Sequence, residues 1–188
     1  KGEPNTEVKL LIERRGQDSI NVVFKREKIS VKSVPYSAFI KDNIAYLKLR
    51  SFTRNCTKDI KRELQNLQKD KKINGIVLDL RNNPGGLLNE AVSMVNLFVE
   101  KGEEVVSTKG KIKSWDNIYK ANNEPFDTET PIIVLINQGS ASASEIVAGA
   151  LQDLDRGVVI GQRSFGKGLV QQTKKLSYNA QLKLTVAK

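Results

Sequence analysis

The sequence predicts an α/β fold around a largely parallel sheet. Ile76-Val77-Leu78-Asp79-Leu80 and Ile132-Ile133-Val134-Leu135-Ile136 are continuous apolar runs of strand length, as expected for strands covered on both faces. Val158-Val159-Ile160 is a third run of this kind. Stretches with helical spacing lie between them, and helices between apolar strands imply βαβ crossovers. A chain of 188 residues is long enough to bury a real core.

Each element can be justified in turn. Residues 7–13 read as a strand, closed by the turn-like set Arg15-Gly16-Gln17-Asp18. Short β segments are expected at 20–25 and 29–33, with Pro35 ending this region. Ile44-Ala45-Tyr46-Leu47-Lys48-Leu49 is the next strand. Ile60, Leu64 and Leu67 then fall at i, i+4 and i+7, the apolar stripe of a helix with lysines on its other face. Residues 87–99 return to helical character. The stretch 104–130 is richer in Lys, Asn, Asp and Thr and predicts a hairpin or peripheral excursion around Trp115. The strand at 132–136 leads into a helix whose inner face would hold Ile146, Val147, Ala150 and Leu154. Two more strands are expected at 169–173 and 181–186.

Composition narrows the chemistry. The net charge is +10, from 31 Lys+Arg against 21 Asp+Glu. Acidic or polar residues interrupt every basic run and no nucleic-acid motif accompanies them, so nucleic acid is set aside. The surplus suits acidic partners or an anionic membrane surface. Cys56 is the only cysteine, which excludes an intrachain disulfide, and it reads as a helix-start residue. One thiol in a chain with no histidine cannot build a zinc site, and neither metal nor cofactor is expected. No run of 18 apolar residues exists and the N-terminus is no signal peptide. The first residue is not Met, so the expectation is a piece of a longer protein.

Three segments carry chemistry. Gly139-Ser140-Ala141-Ser142-Ala143-Ser144-Glu145 sits where a strand turns into a helix. A serine at a helix N-terminus has unpaired amides beside it, which suits a developing oxyanion. The plain alternative is that Ser140 caps the helix, with Glu145 closing a capping box. Arg81-Asn82-Asn83-Pro84-Gly85-Gly86 follows the strand at 76–80 and offers an oxyanion amide or a tight turn. Its glycine spacing does not fit a dinucleotide-binding loop. Phe165-Gly166-Lys167-Gly168-Leu169-Val170-Gln171 frames one lysine with glycines. With imidazole excluded, lysine is the base left to activate a serine. A free lysine has a pKa of about 10.4, so only about one in 2,500 is neutral at pH 7, and a dry setting would have to lower it. If 167–171 is extended, residues 167, 169 and 171 share a face, which places Gln171 near the amine.

Together the three blocks resemble the C-terminal processing peptidases, also called tail-specific proteases, over about residues 34–188. The resemblance implies a crotonase-like core with a mostly parallel sheet, surrounding helices and short N-terminal β segments. It implies a serine endopeptidase that cuts proteins near their C-terminus through an acyl-enzyme. Ser142 would be the nucleophile, Lys167 the general base, and Gln171 the residue orienting it. The backbone amides of Gly86 and Ala143 would form the oxyanion hole. No cofactor is implied, the partners are protein or peptide substrates, and the setting is the periplasm or cell envelope of a bacterium. Residues 1–15 resemble only the last part of a PDZ domain, 16–33 would be linking β segments, and the core at 34–188 is expected to be cut short at its C-terminal end. Two rivals stand beside this reading. One is an acyl-CoA enzyme of the same fold, which the Lys167–Gln171 block argues against; the other is a peptide-binding scaffold whose catalytic groups are idle.

Overall fold

The computed structural model describes residues 2–29 and 31–188. The chain divides into two compact units, one ending at Lys32 and one comprising Ser33–Lys188.

In the first unit, β1 (Glu7–Ile12) and β2 (Ile20–Lys25) form an antiparallel hairpin with Leu10 opposite Val22. Gly16, at φ +76°, supplies the turn between them. Leu11, Val23 and Phe24 of these strands are exposed. The β segment expected at 29–33 does not form at 29 or 31–33, and Ser30 lies outside the described residues. Lys1, in the segment read as a domain remnant, lies outside them too.

The second unit is built on a five-stranded mixed sheet in the order β3-β4-β5-β8-β9. Its strands are β3 (Tyr36–Ile40), β4 (Ile44–Lys48), β5 (Gly75–Asp79), β8 (Ile132–Ile136) and β9 (Gly157–Gly161). Only β3 runs antiparallel, and the other three pairings are parallel. Strand β3 was not expected, because Pro35 read as the end of a β region. It forms as the first arm of a tight hairpin with β4, with Ile40 directly opposite Ile44.

Helices α1 (Cys56–Asp70), α2 (Leu88–Val95) and α3 (Ala143–Asp153) fill the crossovers, α1 packing on α2 and α2 on α3. The stripe anticipated on α1 is the buried one, with Ile60 and Leu64 in the core and Leu67 packed against it. The carboxylate of Glu90 accepts the N–H groups of Asn55 and Thr57 and so caps α1 from outside. On α3, Val147 and Ala150 are buried, while Ile146 and Leu154 pack against the core partly exposed.

All five residues of β5 are buried, as its unbroken apolar run predicts. The similar run on β9 behaves differently. Val159 packs on the core, but Val158 is 61% exposed and Ile160 48%. As the last strand of the sheet, β9 is covered only on the side toward α3, so its alternate residues face outward.

The excursion at 104–130 contains the hairpin β6 (Glu104–Thr108) and β7 (Asn117–Lys120), with Trp115 in the turn between them. A last pair, β10 (Val170–Lys175) and β11 (Gln181–Ala187), is antiparallel, and Gly110 bridges to Ala187 beside it. No helix among the described residues is long and apolar enough to cross a membrane.

Candidate active site

Strands β5 and β8 are parallel neighbours, so their C-terminal ends open side by side. The loops 80–87 and 137–142 leave from those ends, which is where open α/β sheets place ligands. Reciprocal amide bonds clamp the two loops together: Asn82 N–H donates to Asn137 Oδ1 at 2.9 Å, and Asn137 Nδ2 donates to Asn82 Oδ1 at 3.0 Å. Ser140, read from sequence as a possible helix cap, does something else. It is fully buried, accepts the Asn137 N–H at 3.0 Å and donates to the Leu80 carbonyl at 2.8 Å. The cap of α3 is Ser142, which forms a capping box with Glu145.

Ser142 has φ +57° and ψ −113°, outside the regions that non-glycine residues ordinarily occupy. This sharp corner leaves the Ala143 amide at the mouth of the helix without a protein acceptor among the described residues. The Gly85-Gly86 pair lies against the same corner. Phe52 bridges it on the far side, donating to Gly85 O at 2.9 Å and accepting from Leu87 N–H at 2.8 Å. The Gly86 amide between these contacts is likewise free of a protein acceptor among the described residues.

Both glycines are required. Gly85 has φ +91°, and a Cβ there would lie 2.5 Å from Ala141 O and 2.9 Å from Ala143 N. A Cβ on Gly86, at φ +151°, would run into Phe52 O. Gly85→Ala is therefore expected to cost about 1–3 kcal/mol of stability through backbone strain and to displace Ser142. Chemical denaturation measures the first, and the labelling rate of Ser142 by a fluorophosphonate the second.

Residues 163–169 form no regular structure, and β10 starts only at Val170, with a bulge between Val170 and Gln171. The alternation expected to carry Lys167 and Gln171 on one strand face is therefore absent. The reason is tertiary, because other groups than a strand ladder take up the backbone donors of this segment. Phe165 N–H donates to Ser140 O at 2.9 Å, and the Gly166 and Lys167 amides donate to Glu145 at 2.6 and 2.9 Å. Gln171 Nε2 makes a long contact of 3.5 Å with Thr185 Oγ1.

All five residues singled out from sequence line one cleft of about 470 Å³: Gly86, Ser142, Ala143, Lys167 and Gln171. Apolar side chains such as Leu87, Val106 and Ile146 form its walls. Lys167 is half-buried. No hydrogen bond joins Ser142 Oγ to Lys167 Nζ among the described residues.

A model of peptidase family S41 matches residues 43–188. The chain belongs to that family. It is 44% identical over 191 residues to the "Carboxy-terminal-processing protease" of Bartonella bacilliformis, matching all of this chain and 43% of that protein. Identity is 41% over 189 residues to the "Probable CtpA-like serine protease" of Staphylococcus aureus strain N315, again over the whole chain and 37% of the relative. The chain thus spans less than half the length of these relatives. Among solved structures it resembles the photosystem II D1 C-terminal processing protease, with a TM-score of 0.72 and 32% identity over all of this chain and 51% of the other.

Sequence reasoning missed two residues that hold the 80–87 loop in place. Asn83 is fully buried. Its Nδ2 donates to Leu49 O at 3.0 Å, its Oδ1 accepts the Gly85 N–H at 2.9 Å, and its carbonyl accepts from Ala141 N–H and Ser144 Oγ. The glycine turn and the Ser142 corner are thereby fixed to one another. Its only sequence signal is the Asn-Pro step, which marks a turn. Asp79, buried at the end of β5, receives the Tyr46 hydroxyl and both the amide and guanidinium of Arg81. Burial pushes its carboxyl up, but these bonds overcome that and bring it down to about 2.

Glu145 was read only as part of a cap. In this S41 chain it also accepts the Ser164 hydroxyl at 2.8 Å, besides the Ser142 N–H at 2.7 Å and the amides of Gly166 and Lys167. Burial raises its carboxyl, yet the bonds from Ser164, Lys167, Ser142 and Gly166 outweigh this and hold it below its ordinary 4.5. The unfolded chain therefore takes up this proton more readily. Stability from Glu145 is whole above about pH 4.5 and is lost as pH falls through the lower folded value. The melting temperature is expected to drop on acidification below that point, and less steeply in Glu145→Gln.

Proposed function

We propose that this chain is the catalytic core of a serine endopeptidase that cuts protein substrates near their C-terminus. The observation that carries this reading is one cleft that Ser142, Lys167 and two backbone amides without a protein acceptor among the described residues line together. Ser142 Oγ attacks the scissile carbonyl carbon while Lys167 Nζ takes its proton. The amides of Gly86 and Ala143 hold the resulting oxyanion, each contributing about 10²–10³ in rate. Lys167 then returns the proton to the leaving amine as the C–N bond breaks, which leaves an acyl ester on Ser142. Water hydrolyses that ester by the same steps, giving its proton to Lys167 and restoring the Ser142 hydroxyl. Gln171, which lines the same cleft, orients the amine. The chemistry needs no cofactor.

The core fold we assign is crotonase-like, and residues 1–15 we assign to the end of a PDZ domain, with 16–33 linking it to the core at 34–188. The exposed apolar side chains of the β1–β2 hairpin support a place in a larger β domain, one that would include β2 as well as residues 1–15. The names of the bacterial relatives support a bacterial setting, which we place in the periplasm or cell envelope. The basic surface suits an anionic membrane face.

A fluorophosphonate probe tests the central claim. We expect covalent labelling of the unmodified chain and none of Ser142→Ala. Absence of labelling up to about pH 10, where a lysine of ordinary pKa begins to deprotonate, would instead favour an idle peptide-binding scaffold.

A further inference from the structure

Among the described residues three lysines, Lys167, Lys183 and Lys188, line the cleft, and no acidic residue does. Lys167 is the proposed base, which leaves the other two without an assigned role. Lys183 stands on β11 opposite Thr173 of β10, next along the same face from the pair Gln171 and Thr185. That face looks into the cleft, since both Lys183 and Gln171 line it. Alternate residues on a strand are roughly 6–7 Å apart, the spacing at which an extended peptide presents its own alternate side chains. Among the described residues Lys183 enters no ion pair. An unpaired ammonium beside apolar walls raises the local concentration of anionic ligands and discriminates among them.

Resting on the reading of this cleft as a peptide-binding site, we propose that Lys183 determines substrate specificity by pairing with a carboxylate of the bound peptide. The carboxylate is either an Asp or Glu side chain or the peptide's free C-terminus. Because Lys183 is exposed, its effect is a preference and not an absolute requirement.

Binding is read by fluorescence anisotropy with Ser142→Ala, with and without Lys183→Glu added. The ligands are labelled peptides that differ by one Glu/Gln exchange, each made with a free and an amidated C-terminus. At low salt the acidic peptide should bind roughly threefold tighter than its neutral match, and about 0.5 M salt should remove the difference. Adding Lys183→Glu should reverse it. A preference that follows the Glu/Gln exchange identifies a side chain, and one abolished by amidation identifies the terminal carboxylate. Equal binding across every matched pair, or a preference that Lys183→Glu leaves unchanged, overturns the proposal. The binding background is inactive by design, so failure of the unmodified chain to label or hydrolyse counts against the peptidase reading alone.

Discussion

Replacing Lys167 by methionine is expected to lower the rate of peptide hydrolysis by about 10⁴-fold or more, with the fold intact. The expectation follows from how the residue is held. Its loop is anchored through backbone amides, with Lys167 N–H on Glu145 at 2.9 Å and Phe165 N–H on Ser140 O at 2.9 Å. Methionine keeps that amide and most of the side-chain volume, so the loop has no reason to move. What disappears is the only basic nitrogen the proposed mechanism gives Ser142, in a chain with no histidine to replace it. Labelling by a fluorophosphonate should slow in parallel, since it too requires the serine to lose its proton. A thermal melt within a degree or two of the parent, together with the lost rate, would place the effect on chemistry. Undiminished hydrolysis would remove Lys167 from the role of base.

Glu145→Ala should be the most damaging change outside the reacting groups. One carboxylate accepts four hydrogen bonds, from Ser142 N–H, Ser164 Oγ, Gly166 N–H and Lys167 N–H. One of those donors lies at the serine corner and three lie in the lysine loop, so this side chain sets the distance between the proposed nucleophile and base. Hydrogen bonds to a charged group contribute about 1.5–3 kcal/mol each, but water can replace several at a half-buried site. A net loss of about 2–3 kcal/mol is therefore expected in chemical denaturation. The rate should fall further than this destabilisation alone explains, by about 10²-fold even where the chain is fully folded, because misplacing reacting groups by about 1 Å is enough. Glu145→Gln keeps an acceptor and should recover part of the stability. A variant as fast as the parent would show that the lysine loop finds its place without this carboxylate.

How much of this was legible beforehand depends on whether the cause was local. The buried β5, the α1 stripe and the Trp115 hairpin were all readable, because apolar periodicity and turn residues act over a few positions. The five proposed site residues were named through the family resemblance that three short blocks carry, and they line one cleft. The β3 arm was not, since its evidence is pairing with β4 and its own five residues carry no clear pattern. The exposed face of β9 was not either. An apolar run reports that a strand prefers burial, and position in the sheet decides whether it is covered.

By itself the sequence determined which groups were available: a hydroxyl, an amine, two glycine-flanked turns, and no imidazole. It also determined the βαβ rhythm that delivers those turns to strand ends. Tertiary structure alone decided that Ser142 and not Ser140 caps α3, that Lys167 precedes the strand and is not on it, and that Glu145 and Asn83 tie the pieces together. The physical reason is the length of the contacts in sequence. Asn83 reaches Leu49 and Ser144, and Glu145 reaches Lys167, across 22 to 61 residues. Such hydrogen bonds form only once the parallel strands have brought their ends into register.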